Sequence, residues 1–189
     1  GVLRAAKEDN APIIIAYGEV FEAVFPLDDF AYMTQKLADE MEQPVVLHLD
    51  HANNMAFVER AVKYGFTSVM MDASDKDFAG NVAATCRVVE LCGKKGISVE
   101  AELGHVGGLT GQYEAAEYDE DECYTRAEEA VRFVQATGVD LLAVAIGTVH
   151  GQFKHEPRLR YDRLQEVKAA VNMPLVLHGG SGLGDEDLK

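Results

Sequence analysis

The sequence predicts a parallel α/β fold, a (β/α)8 TIM barrel, from three observations. Six short runs rich in Val, Ile and Leu recur along the 189 residues, each apolar without clean alternation, as in strands covered on both faces. Segments with helical spacing separate these runs, and strand alternating with helix builds a parallel sheet. Polar residues able to do chemistry stand at the carboxyl end of nearly every run. A doubly wound sheet fits the alternation as well, but it gathers such residues near one switch point, whereas a barrel draws on all its strand ends.

The strands are expected at Pro12–Ala16, Pro44–Asp50, Thr67–Asp72, Ile97–Leu103, Asp140–Ile146 and Pro174–His178. Between them, Phe30, Met33, Leu37 and Met41 recur at three- and four-residue intervals, as do Phe57, Ala61, Val62 and Tyr64. Val82, Val88, Val89 and Cys92 mark a helix that Gly93 and Gly96 end. Ala130, Val131, Phe133 and Val134 mark another, and Leu164, Val167, Lys168 and Val171 a further one. The chain opens on a helix-like segment, Val2–Glu8, and stops after a helix start at Asp185. Six strands where a barrel needs eight imply that the first and last strands are absent from this sequence. Residues 1–189 therefore read as a single, partial barrel domain.

Composition narrows the function. The formal net charge is −15, and no basic stripe is present, so neither nucleic acid nor an anionic membrane surface is an expected partner. The excess of Asp and Glu, including the stretch Glu114 to Glu129, suits a solvated face. Cys86, Cys92 and Cys123 form no C-x-x-C pair and read as thiols in a reducing compartment. No secretory h-region or membrane-length apolar run occurs, so the expected location is the cytoplasm.

Three histidines carry the chemistry. His51, His150 and His178 each close an apolar run just before a polar or glycine-rich break. On neighbouring parallel strands their imidazoles emerge at one end of the sheet, where three neutral imidazoles make a divalent-metal site with an open position. His48 lies three residues before His51 and, under strict alternation, faces the other way; it is left out of the metal shell. His105 and His155 fall in loops and are expected in solvent. Asp50 is placed to transfer a proton beside a metal ligand, in preference to anchoring a helix start or loop amide. Asp72 and Glu102 end the two intervening strands, with Glu100 two residues before the second. These carboxylates suit a second cation position or bonds to the ligating imidazoles. Gly179-Gly180-Ser181-Gly182 follows a strand and exposes backbone N–H groups and a hydroxyl, which suit a phosphate or a plain tight turn. Gly151 and Lys154 after His150 offer a second anion contact, and Gly104 to Gly111 a loop long enough to close over a site.

In combination these residues resemble the class II, metal-dependent ketose-bisphosphate aldolases, in particular the tagatose/fructose-bisphosphate branch. The stretches are His48-Leu49-Asp50-His51-Ala52, Ser68 to Ser74, Val99-Glu100-Ala101-Glu102-Leu103-Gly104 with Gly107-Gly108, Thr137 through Gly151, and Pro174 through Gly182. They run in family order over nearly the whole chain. The resemblance implies that His51, His150 and His178 bind Zn2+, with Glu102 and Asp72 able to hold a cation in an alternative or second position. It implies that Asp50 moves the proton at the hydroxyl whose carbon–carbon bond breaks. Gly151, Gly179 and Ser181, with Lys154 nearby, would hold the dihydroxyacetone-phosphate half of a phosphorylated sugar. A monovalent cation, Na+ or K+, near Val149 and Gly151, and a homodimer or homotetramer, are further family expectations. The activity implied is reversible aldol cleavage in carbohydrate metabolism, as in glycolysis.

Besides the first strand and the last, phosphate-loop strand, both expected to be absent, this sequence departs from the family in two further places. Leu109-Thr110-Gly111 follows Gly107-Gly108 where the family carries a loop glutamate, and Gly18 stands where relatives usually have a serine. Two other readings stay open at this stage: a metal-dependent hydrolase on the same barrel, and a metal-binding aldolase relative without catalysis.

Overall fold

In the computed structural model, residues 1–104, 106, 124–151 and 158–188 are described. The chain runs through α1 (Val2–Glu8), β1 (Ile13–Gly18), a 3-10 turn (Glu19–Phe21), α2 (Leu27–Ala38), β2 (Val45–Ala52), α3 (Met55–Lys63), β3 (Ser68–Met71) and α4 (Phe78–Gly93). It continues through β4 (Ser98–Leu103), α5 (Ala127–Thr137), β5 (Leu141–Val144), α6 (Tyr161–Ala170), β6 (Leu175–Val176) and a second 3-10 turn (Gly180–Gly182). Two compact units divide it: Gly1–Asp72 with Ala84–Glu100, and Ala73–Ala83 with Ala101–Lys189. Strand order follows chain order within each, β1-β2-β3-β4 in the first unit and β4-β5-β6 in the second, so each connection brings in the next neighbour. No described helix is long and apolar enough to cross a membrane.

The first unit is built on β1 and β2, parallel and in unbroken register from Ile13 opposite Val45 to Gly18 opposite Asp50. Its core gathers around Tyr17, whose ring meets Phe30 at 4.8 Å and Phe57 and Phe66 at 6.4 Å between centroids. The buried Tyr17 hydroxyl lies 2.6 Å from the Phe25 carbonyl oxygen and 3.1 Å from Glu22 Oε2. Glu22 also accepts from the Leu27 amide at 3.0 Å and from Arg60 Nη2 at 2.7 Å. One carboxylate thus ties the start of α2 and the side of α3 to the end of β1. Helix α3 begins where Asn54 Oδ1 accepts from the Phe57 amide at 2.9 Å, as an N-cap should.

In the second unit β5 pairs with β6 in parallel, Leu142 opposite Leu175 and Ala143 opposite Val176. Phe133 of α5 is fully buried and meets Phe78 edge-on, with centroids 6.0 Å apart. Helix α5 ends on Gly138 at φ 67°, a left-handed turn residue that satisfies the last helical carbonyls.

Six parallel-type strands appear in the expected order, with shifted ends. β1 runs to Gly18 rather than Ala16 and β2 to Ala52 rather than Asp50. β5 and β6 are shorter than expected. Ala145 and Ile146 stay buried, but beyond Val144 the backbone of Ala145 is taken over by Thr125: the Thr125 amide donates to its carbonyl and Thr125 Oγ1 accepts its N–H. On α2 the buried stripe is Leu27, Ala31 and Thr34, while Met33 and Leu37 are exposed. Leu27 and Phe30 of this helix serve the core, and Met33 and Leu37 lie outside it.

The Glu22 network predicts acid lability. Burial raises the Glu22 carboxyl, but the Arg60 guanidinium, the Leu27 amide and the Tyr17 hydroxyl outweigh it and hold the group below its ordinary 4.5. In return, burial and the Glu22 carboxylate push the Tyr17 hydroxyl up to about 12. A carboxyl held low when folded stabilises the fold above its unfolded pKa, and that stabilisation is lost as pH falls through its folded pKa. The stability gap between the parent and Glu22→Gln is therefore full at neutral pH and closes as acidification proceeds below 4.5. Urea midpoints at successive pH values measure it; a gap that stays constant through the acid limb contradicts the assignment.

Candidate metal centre

Within the first unit, β2 carries His48, Asp50 and His51 through an irregularity. Leu49 pairs with Val69 and Ala52 with Met71, so β2 takes one residue more than β3 over this stretch. His51 absorbs it at φ 48°, in the left-handed region. A bulge of this kind re-aims a side chain that alternation would send to the other face. Asp50 Oδ1 consequently lies 3.9 Å from Nε2 of both His48 and His51. The strict alternation that set His48 apart from His51 is corrected here: both rings approach the same carboxylate. The parity of the His48-Leu49-Asp50 triplet was the signal that could have placed His48 beside Asp50.

His51 Nδ1 lies 2.8 Å from Asp72 Oδ2. A carboxylate on one imidazole nitrogen selects the tautomer and leaves the other nitrogen to ligate. Asp72 is thus placed to orient an imidazole, one of the two roles expected for it. Glu100 is buried, with Oε2 3.7 Å from His48 Nε2.

Within the second unit, Glu102, His150 and His178 each bring one ligand atom to within 4.8 Å of the others. Glu102, next to last in β4, is 2 % exposed, and the His178 ring is buried as well. The rings of His150 and His178 meet edge-on, with centroids 5.6 Å apart. Glu102 is braced from two sides: its carbonyl accepts from buried Asn81 Nδ2 at 2.8 Å, and its Oε1 accepts from the Val106 amide at 3.4 Å. Two imidazole nitrogens and a carboxylate oxygen, largely out of solvent, form a donor set that fits Zn2+.

Two glycines allow close backbone approach around this group. A Cβ on Gly179 would stand 2.7–2.8 Å from the backbone N, C and O of Val149, and Gly179 is left-handed at φ 69°. The corner after His178 therefore packs directly on the backbone beside His150. At Gly147, φ 104°, a Cβ would meet the Arg158 carbonyl oxygen at 2.5 Å. Ser181 lies exposed in the 3-10 turn that follows Gly179, and Gly151 is exposed at φ 94°. Asp185 to Leu188 form a turn, not the expected helix start. Lys154, His105, His155, Cys123 and the glycine loop from Gly107 lie outside the described residues; Cys86 is partly exposed and Cys92 buried.

Parallel strands thus bring two imidazoles and a buried carboxylate into one group able to hold a metal, on an α/β fold. The whole of residues 1–189 matches the model of the class-II fructose-bisphosphate aldolases, and the chain belongs to that family. It is 43% identical over 190 residues to the uncharacterized protein YdjI of Escherichia coli K12, covering 100% of this chain and 67% of that one. It is 39% identical over 193 residues to the fructose-bisphosphate aldolase of Staphylococcus aureus strain Mu50, covering 100% of this chain and 65% of the relative. The crystal structure of the YdjI aldolase from Escherichia coli K12 superposes with a TM-score of 0.83 at 36% identity, over 99% of this chain and 63% of that one. The chain spans about two thirds of the length of the curated relatives it matches.

Gly179→Ala tests the corner. A left-handed alanine costs roughly 1–2 kcal/mol, and relieving the contact with Val149 adds to that. The variant is expected to unfold at lower urea and to bind zinc more weakly than the parent, because His178 must shift. Equal stability and equal zinc affinity would show that this corner does not set the ligand spacing.

Proposed function

We propose that this protein is a zinc-dependent aldolase that reversibly splits a ketose 1,6-bisphosphate, fructose or tagatose, into dihydroxyacetone phosphate and glyceraldehyde 3-phosphate. The observation that carries the proposal is the Glu102–His150–His178 ligand group in a member of the class-II aldolase family. The aldolase named among its relatives supports it. In this reading the six strands are part of a complete (β/α)8 barrel.

His51, His150 and His178 hold the metal, and Glu102 offers the alternative ligand position. Asp72 keeps the His51 ring in its ligating tautomer and is available to a second cation. A divalent ion there supplies Lewis acidity to the negative charge that bond cleavage leaves on the ketone fragment. Asp50 accepts the proton from the hydroxyl on the carbon that leaves as an aldehyde, while the electrons of the broken carbon–carbon bond stay on the ketone fragment. Its place beside His51 on β2 puts base and ligand on one rigid strand. Backbone amides at Gly151 and Gly179, the Ser181 hydroxyl and Lys154 hold the phosphate of the ketone half. A Schiff-base route needs a strand lysine, and none of the described strands contains one. A monovalent cation, Na+ or K+, near Val149 and Gly151, a homodimer or homotetramer, and a cytoplasmic setting complete the reading.

Cleavage of the two epimeric bisphosphates is expected to stop on treatment with EDTA, return with Zn2+, and disappear in His178→Ala. Asp50→Asn should retain zinc while losing roughly 10²–10⁴-fold in kcat, the usual contribution of a positioned base. Undiminished turnover in His178→Ala sinks the proposal, as does phosphate release without cleavage of the sugar.

A further inference from the structure

Among the described residues of the first unit, His48 is a buried histidine that neither the metal nor the substrate reading uses. It stands on β2 directly opposite Ser68 of β3, and its Nδ1 lies 2.8 Å from Ser68 Oγ. The other edge of the ring points to carboxylates: Nε2 is 3.7 Å from Glu100 Oε2 and 3.9 Å from Asp50 Oδ1. The side chains of His48 and Glu100 are 8% and 5% exposed, against 31% for Asp50. A buried ring held at Nδ1 by a hydroxyl on the next strand has little freedom to turn. Two carboxylates around Nε2 favour the tautomer with hydrogen on that nitrogen, and the Ser68 hydroxyl then donates to Nδ1.

We propose that His48 is a positioning residue for Asp50. Its Nε2–H, aimed by Ser68, attracts Asp50 Oδ1 and holds the carboxylate in the orientation from which it takes the substrate proton. At 3.9 Å the attraction is electrostatic, acting in a site partly shielded from water. Glu100 is the buried counterpart that keeps the ring from swinging toward Asp50 alone. Strand-borne groups hold such an orientation more tightly than loop-borne ones do. His48 contributes nothing to the metal shell in this arrangement; its influence passes through Asp50.

The inference rests on the aldolase reading, and two substitutions test it in the zinc-loaded full chain. In His48→Gln an amide nitrogen reaches about as far as Nε2, while the side chain of His48→Asn ends at the distance of Nδ1. With fructose and tagatose 1,6-bisphosphates, kcat is expected to fall roughly 10–100-fold in His48→Asn, as for other outer partners of a catalytic shell. KM should stay within about twofold, and His48→Gln should recover most of the lost kcat. Zinc affinity, measured by calorimetry without substrate, should be unchanged in both variants. A ring that only braces β2 against β3 predicts the reverse order, with the asparagine variant, which still reaches Ser68, the milder. That order overturns the proposal, as does an unchanged kcat in both variants. A loss of zinc affinity shared by both variants also overturns it, because His48 would then act through the metal. A parent chain that binds zinc yet cleaves neither sugar overturns the aldolase reading and this inference together, whereas an active parent with indifferent variants overturns this inference alone.

Discussion

One extra residue in β2 is the constraint on which the chemistry of the first unit depends. Between the Leu49–Val69 and Ala52–Met71 pairs, β2 takes three steps where β3 takes two, and His51 accommodates the difference at φ 48°. A left-handed histidine is strained by about 1–3 kcal/mol, and such strain persists only where the surroundings enforce it. Here the surroundings are explicit. The ladder is regular up to Leu49, the Ala52 carbonyl accepts from the Asp72 amide at 2.9 Å, and Asp72 holds the His51 ring at 2.8 Å. Without the bulge, His51 would face away from Asp50 and His48. With it, the Asp50 carboxylate and the His48 and His51 rings meet within a few residues of a single strand.

The buried carboxylates of β4 impose a second constraint. Glu100 and Glu102 are both almost wholly out of solvent, and an uncompensated buried carboxylate is too costly for a fold to carry. Glu100 has the His48 ring across from it, and Glu102 has amide contacts together with the His150 and His178 group. Each acid therefore faces histidine within its own unit. Removing His48, His150 or His178 would strip a buried acid of part of its compensation, so the stability of the fold draws on these contacts. Glu22 differs: it is partly open, and its value to the fold comes from Arg60, Leu27 and Tyr17 together.

Much of this was legible in the residues and some was not. Six parallel-type strands could be read from apolar runs because strands covered on both faces leave a coarse, robust pattern. Their ends could not, because ends depend on distant partners: Thr125 replaces a strand neighbour at Ala145, and nothing near Ala145 announces it. The convergence of His150 and His178 in the second unit was readable from histidines placed before glycines, and Gly179 has a steric reason to be glycine. The bulge was hidden, since Leu49-Asp50-His51-Ala52 contains neither Gly nor Pro to mark it. A period-two reading then separates His48 from His51 with full internal consistency. The hidden feature lies where strain and function coincide, which is where local rules are expected to give way.

The acidity of the chain constrains how an anionic sugar would be held. A net charge of −15 gives no long-range attraction for a phosphorylated ligand, but at physiological salt the field of exposed charges fades over about 8 Å. Binding must then rely on groups in direct contact with the anion. The left-handed glycines supply such groups without adding charge. Gly179, pressed against Val149, and the turn from Gly180 to Gly182 place backbone next to His178. Backbone donors at that corner and a cation held by His150 and His178 would act on adjacent parts of one substrate. The same packing that spaces the imidazoles would thereby aim the phosphate contacts, and a Cβ at residue 179 would disturb both.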